Sequence, residues 1–487
     1  QAQWLLHSLQ PDSASYHVAF CARVCSVVNE AAMRRAWKAL RDRHASLRAQ
    51  WSRDSGDLTQ RIRTTFSDSF EVSSCDSNEA ALERETQSAY RRPFDLEHGE
   101  PARLHLLTRN EADHVLLLVA HHIACDGWSL WILIEELKEL YAAECAGRPA
   151  VLTPMVHSYI DFVRWEHAML QGAEGARQWE YWRAQLTGEL PALDLPTDRP
   201  RRSTGSGRGA SHAFRFPTDL RQSIARLAQE RGVTVFTVLL AGFSTLLQRY
   251  SGQDEFLIGM PATARTESAF AGVVGHFVNQ VVLRADVSGD PTFFALLDRT
   301  RDALLGAMAA QDFPFPVLVQ RLRPDRDPRR SPLFQVNFVF QQAQQAGEVL
   351  DLMNGSTDGA PVDWGGLQLR PQLLHQQEGQ FDLTVELIDT GAALSGVLKY
   401  DADLFDIATI ARIEEHYRNL LAASTRQPQC RVAELEMLAA DERMRQLARA
   451  SGGAGAWPAT TCLHQRFEEA VCRSPGAVAL VCGDTKL

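Results

Sequence analysis

Two adjacent histidines, His121 and His122, and an aspartate four residues on, Asp126, stand in HVLLLVAHHIACDGWSLWILI, His114 to Ile134. Imidazole ionises near neutrality, so a histidine that meets a substrate can take up a proton as a general base or donate a hydrogen bond. Adjacent strand residues point to opposite faces. Only one of the two histidines can therefore face a given cleft, and the other must be satisfied by internal hydrogen bonds. Asp126 is held by the Asp126-Gly127 turn and cannot reach far. It can order the loop by pairing with a cation or by accepting from backbone N–H groups. Read alone, a histidine before a turn is also compatible with a purely structural role.

The flanking pattern predicts how these residues are placed. Val115 to Ala120 is an apolar run long enough for a buried strand. A helix should start near Ser129 and run to about Ala146, with Gly147 capping its C-terminus. His122 then stands where a buried strand ends and the backbone turns, an end that faces a cleft between elements. Cys125 reads as a small packed side chain.

Elsewhere helices and strands alternate. Helices are predicted around 176–190, 234–250 and 405–423. Strands are predicted at 211–216, 256–260, 334–340 and 381–388, with 394–400 paired to the last. Residues 191–210, rich in Pro, Gly, Ser and Arg, read as an exposed connection. Gly452, Gly453 and Gly455 suggest a flexible linker. The segment after it, Thr460 to Leu487, is too short for an independent domain, so the chain reads as cut from something longer. The predicted division is 1–175 and 176–437 as two lobes, 438–459 as linker and 460–487 as a remnant.

The 487 residues carry Lys+Arg 50 against Asp+Glu 60, a net charge of -10. An acidic surface is poorly suited to nucleic acid. No apolar run reaches the roughly 18 residues of a membrane-spanning helix, and the N-terminus is not patterned as a signal peptide. Nine scattered cysteines without a C-x-x-C pair fit a reducing, cytoplasmic location rather than a disulfide framework or a zinc ribbon. No metal cluster and no phosphate-cradling glycine loop is evident, so no bound cofactor is expected.

The spacing His-His-x-x-x-Asp-Gly-Trp-Ser resembles the signature of nonribosomal peptide synthetase condensation domains, in the chloramphenicol acetyltransferase-like superfamily. Further segments follow in the family's order: QAQWLLHSL at the start, RHASLRAQW (Arg43 to Trp51, Ala45 replacing the usual Glu) and YIDFVRWE (Tyr159 to Glu166). After these come VGHFVNQVVLR (Val274 to Arg284), QDFPFP (Gln311 to Pro316, Pro316 replacing the usual Glu) and RDPRRSPLFQVNFVF (Arg326 to Phe340). LHQRFEEAVCRSPGAVALVCGD, Leu463 to Asp484, resembles the beginning of an adenylation domain.

The resemblance implies an α/β (α+β) fold of two acetyltransferase-like lobes in a V shape with a central tunnel. Carrier-borne phosphopantetheine arms would enter its two ends, and the acceptor α-amine would attack the donor thioester to form an amide. His122 matches the family's active-site histidine. His121, Asp126, Gly127 and Arg284 match structural positions around it, with Asp126 paired to Arg284 and Gly127 permitting a tight turn or close approach. Trp128 is a tunnel candidate that reads first as a packing residue. Asn279 and Asn337 are either tunnel groups or satisfied core amides, and His276 and His375 are given background structural roles. Arg321 to Arg330 is either a solvated loop or a patch for carriers. Residues 344–380 form a long insertion that the resemblance sends from the second lobe onto the first.

The implied partners are donor and acceptor peptidyl carrier proteins and a downstream adenylation domain, with no nucleic acid and no membrane. The donor is an aminoacyl or peptidyl thioester in an elongation domain. In a starter domain it is a fatty acyl group, drawn from acyl-CoA for a lipopeptide. An epimerisation domain shares the histidine core but not the FVN and QD-PF segments. A heterocyclisation domain replaces the histidines with aspartates. A free-standing acyltransferase would not carry the adenylation-like segment, and a silent scaffold would not need His122.

Overall fold

The structure is a computed structural model that describes residues 2–54, 57–65, 67–75, 78–188, 190–201, 208–323, 330–342, 361–376, 379–450, 462–478, 481–482 and 485–486. Strands β1 (His17–Val24), β2 (Ala49–Asp54), β3 (Asp57–Ile62), β4 (Phe70–Ser74), β5 (Ala102–Asn110) and β6 (Asp113–His121) come first. Helices α1 (Ala2–Leu9), α2 (Glu30–Arg43), α3 (Glu79–Arg91) and α4 (Gly127–Ala146) lie before, among and after them. Helices α5 (Tyr159–Gln171) and α6 (Ala173–Gln185) lead to β7 (Gly209–Arg215), α7 (Thr218–Arg231), α8 (Val235–Ser251), β8 (Glu255–Thr263), β9 (Val278–Asp286), α9 (Phe293–Met308) and α10 (Phe315–Leu322). Then come β10 (Val336–Gln342), β11 (Val362–Trp364), β12 (Leu367–Pro371), β13 (Leu383–Asp389), β14 (Leu394–Asp401) and α11 (Ile407–Arg426).

Two six-stranded sheets organise these elements, in the orders β11-β12-β1-β6-β5-β4 and β7-β14-β13-β10-β8-β9. In the first, β6 lies between β1 and β5 and is covered on both faces. Leu116, Leu118 and Ala120 join the core that contains residues of α2 and α4, and Val115, Leu117 and Val119 join the opposite core. Two covered faces explain why β6 reads as an unbroken apolar run. In the second sheet β13 and β14 pair antiparallel, Leu383 opposite Tyr400, and alternate buried with half-buried residues. Helix α8 is mostly buried, and Phe243 packs on Phe338 of β10 at 5.4 Å.

Strands β11 and β12 form a hairpin that joins the first sheet through β1, Val24 opposite Leu369, although β10 and β13 on either side of them belong to the second. The chain thus crosses from one sheet to the other and back. Trp364, Leu367 and Leu369 anchor the crossing in the core of the first half. Residues 344–360 and 377–378 of the expected insertion lie outside the described residues.

Residues Gln1–Leu435 form one compact unit and Glu436–Leu487 another. The second holds helices Ala440–Ala450 and Leu463–Arg473 and the paired two-residue strands Val481–Cys482 and Thr485–Lys486. Part of the expected linker, 440–450, is therefore helical, and 451–459 lies outside the described residues. No single described helix is long and apolar enough to cross a membrane.

Candidate active site

β6 ends at His121, which continues the parity of Val115, Leu117 and Val119 and is 1% exposed. Its Nδ1 accepts from the Ile123 N–H at 3.1 Å, and its ring packs edge-on against His7, His17 and Phe94. Burial holds its pKa well below the usual histidine range. His121 is the internally satisfied member of the pair.

His122 follows, half-buried. Its backbone N–H donates to the Tyr16 carbonyl at 2.7 Å. Its Nδ1 lies 3.1 Å from Nδ1 of His276, and no hydrogen bond joins its Nε2 to a protein group among the described residues. Burial lowers its pKa, and Asp126 only partly offsets this. His276 is pushed down to about 3 by burial and then by His122. Both rings are therefore neutral at pH 7. His276, expected to play a background role, touches the histidine on which the site centres.

Asp126 caps α4. Its Oδ1 accepts from the Ser129 N–H at 2.7 Å, so the helix begins at Gly127 rather than near Ser129. Its Oδ2 accepts from the Phe277 N–H at 2.9 Å, and Arg265 Nη2 lies 3.3 Å from Oδ1. Burial alone would raise the Asp126 pKa, but Arg265 and the Ser129 bonds outweigh it and the carboxyl stays below its usual value. Ser129 Oγ donates to the Gly275 carbonyl and accepts from the Gly275 N–H and from Arg265. Arg265 also donates to the carbonyls of Phe270 and Val273 and lies over the Phe277 ring at 3.7 Å. Tyr159 Oη donates to the His276 carbonyl at 2.6 Å. The loop from Val273 to Phe277 is thereby fastened across the turn between β6 and α4.

The expected partner of Asp126 was Arg284, and this is corrected. In the β8–β9 register Arg284 faces Leu257 near the far end of β9, and its guanidinium pairs with Glu255. Gly127 is corrected as well. A Cβ there would meet nothing within 4 Å, and its φ is not positive. The close approach falls instead on Gly275, where a Cβ would sit 2.2 Å from the Tyr159 ring.

Trp128 packs on Trp131 and donates to the Ala271 carbonyl. Asn279 is a core amide. It donates to the carbonyls of Gln311 and Phe313 and accepts from the Phe315 N–H, clasping the start of α10. The FVN and QD-PF segments are thus physically joined. Pro316 sits in the first turn of α10, where its missing N–H leaves no helix bond unmade. Asn337 is buried, yet its Oδ1 has no partner among the described residues, so it is not a satisfied amide. Arg321 lies over Trp179 and Phe313, and Arg330 donates to the Leu193 carbonyl and Asp194. Residues 324–329 of that stretch lie outside the described residues. His375 bonds Ser211, and Cys125 is fully buried as expected.

The family model for the condensation domain matches residues 1–447. The chain belongs to the condensation-domain family. Condensation domains are the acyltransferases that form the amide bonds of nonribosomal peptides. This condensation domain is 34% identical over 99% of its length to malpinin synthetase of Mortierella alpina, of which it spans 6%. It is 34% identical over 98% of its length to chondramide synthase cmdD of Chondromyces crocatus, of which it spans 12%. In fold it is similar to the X-domain from teicoplanin biosynthesis, with a TM-score of 0.80 at 24% identity over 90% of this chain and 96% of that one. It is also similar to the first condensation domain of the calcium-dependent antibiotic synthetase, with a TM-score of 0.73 at 20% identity over 90% of this chain and 97% of that one.

Sequence reasoning missed Arg265 and gave His276 only a background role. His276 carried a signal, because it lies inside the Gly275-to-Asn279 segment. Arg265 carried none, since nothing in its local pattern separates it from the chain's other arginines.

Proposed function

We propose that this condensation domain joins a donor acyl thioester to the α-amine of an aminoacyl thioester held on a carrier protein, with His122 as the catalytic residue. The observation that carries this reading is the placement of His122. It is neutral, held by its backbone to Tyr16 at the end of a fully covered strand, and its only side-chain hydrogen bond among the described residues is the one between its Nδ1 and His276. As the amine nitrogen bonds to the thioester carbon, the carbonyl electron pair moves to oxygen. The nitrogen becomes an ammonium, which passes a proton to His122 Nε2. Collapse restores the carbonyl and breaks the C–S bond, and the departing thiolate takes that proton as a thiol.

A free α-amine has a pKa of about 7.7–8.0, so a sizeable fraction is already neutral near pH 7. His122 therefore acts as bond formation proceeds rather than on the resting amine. Such help is worth about 10²–10⁴-fold, and positioning two tethered substrates up to about 7–11 kcal/mol. The substrates bring their own phosphopantetheine arms, so no bound cofactor is required. In this reading both carriers meet at a tunnel between two lobes, residues 463–484 begin an adenylation domain, and the protein works in the cytoplasm.

The donor is aminoacyl or peptidyl in an elongation role, and fatty acyl from a carrier or acyl-CoA in a starter role. The test offers acyl-CoA and aminoacyl-carrier donors side by side to the protein with a loaded acceptor carrier. Amide product from either donor, lost by a large factor in His122→Ala, is expected. Product from acyl-CoA alone identifies a starter domain. Native turnover in His122→Ala would overturn the assignment.

A further inference from the structure

Two imidazole nitrogens 3.1 Å apart form a hydrogen bond only when one carries a proton and the other a lone pair. The rings meet edge to face, with centroids 4.9 Å apart and planes at 83°. The His122 backbone carbonyl acts on both rings, and the Cys125 carbonyl acts on that of His122. Carbonyls only accept, so the His122 ring has an acceptor at hand for its N–H. Its own carbonyl is within stereochemical reach of Nδ1 but not of Nε2.

We propose that His276 is a positioning residue, whose Nδ1 accepts the Nδ1–H of His122 and so leaves the Nε2 lone pair of His122 for the substrate. The proposal rests on His122 being the base. It assigns to a neutral imidazole the task that a carboxylate performs in the Ser-His-Asp triad, that of fixing the tautomer and sharing the proton of the imidazolium. Asp126 is not available for that task, because its oxygens are taken by Ser129, Phe277 and Arg265.

His276 is rigidly presented. Tyr159 holds its carbonyl, Asp126 holds the next N–H, and Ser129 holds both polar backbone groups of Gly275. The other ionisable groups around the pair leave it neutral. Asp126 is balanced by Arg265, burial keeps His121 uncharged, and burial raises the Tyr159 phenol above its usual value. Glu166, which acts on Tyr159, is itself raised to about 7 by burial and then by Asp312. When His122 takes the amine proton, its imidazolium keeps both N–H bonds, one shared with His276. The proton on Nε2 then leaves with the thiol, and the pair returns to its starting state.

The test has two parts. In native protein with ring-¹⁵N histidine, the His122 signal is assigned by its loss in His122→Gln. The proposal expects the shifts of a proton on Nδ1 and a bare Nε2, and the opposite tautomer would overturn it without touching the function assigned above. Second, His276→Phe should lower kcat by about 10- to 100-fold, a part of the general-base factor, with KM for both carriers unchanged. It should also move the acid limb of the pH–rate profile downward, because the imidazolium loses its acceptor. His276→Asn, whose amide oxygen can accept the same N–H, should recover most of kcat and restore the limb. An Asn variant no better than Phe, or a Phe variant with native kcat and an unmoved limb, would show that His276 only fills space.

Discussion

Asp126 and Arg265 form an ion pair with side chains 0% and 5% exposed, joining the cap of α4 to the segment that follows β8. Removing one member leaves the other charge buried and unpaired, at a cost of about 3–5 kcal/mol. Arg265→Ala should therefore lose that much stability in urea denaturation. Arg284→Ala removes a pair whose side chains are 29% and 44% exposed, and the loss should stay within about 1 kcal/mol. Equal losses in the two variants would refute the assignment of Arg265 as the partner.

Two glycines near the site should behave in opposite ways. At Gly275 an added methyl meets the Tyr159 ring at 2.2 Å, so Gly275→Ala should cost about 1–3 kcal/mol through overpacking and displace the loop that carries His276. At Gly127, the first residue of α4, a methyl meets nothing. Gly127→Ala should leave stability unchanged or raise it by about 0.4–1 kcal/mol by restricting the unfolded chain. Thermal melts of the two variants check both.

Acid should destabilise the fold through His17. This residue is 1% exposed, and burial pushes its pKa down to about 4 from 6.5. The unfolded chain binds this proton below pH 6.5 while the folded chain does not until about pH 4. Stability contributed by the neutral ring is therefore complete above 6.5 and falls as pH drops toward 4. At pH 5 the loss is about 2 kcal/mol. His17→Phe should remove that part of the slope between pH 7 and 5 in urea titrations, and an unchanged slope would exclude His17 as its source. The depressed carboxyl of Asp126 acts at lower pH. Its stabilisation is present above its unfolded value of about 3.8 and fades below it.

Local order was largely legible. β6 announces itself because both its faces are covered, so no polar residue interrupts it. β13 and β14 alternate because only one face of each is fully covered. The helix after β6 was readable but its start was not: Asp126 reads as part of a turn, whereas it accepts from the Ser129 N–H and starts the helix at Gly127. The family segments were readable as well, and the Asn279 clasp explains why two of them occur together: the amide of one holds the helix start of the other.

Choice of partner was not legible. Arg265 and Arg284 have the same chemistry, but the register of β9 against β8 carries Arg284 to Glu255, while Arg265 lies just past the end of β8, beside Asp126. The contact of His276 with His122 likewise joins residues 154 positions apart, and no local period records it. The sequence by itself determined which segments become strands and helices, and that a histidine ends a buried strand, since both follow from interactions a few residues long. Only the tertiary structure decided which distant charge neutralises Asp126 and which ring meets His122. Those contacts depend on how two sheets and the loop between β8 and β9 are packed in space.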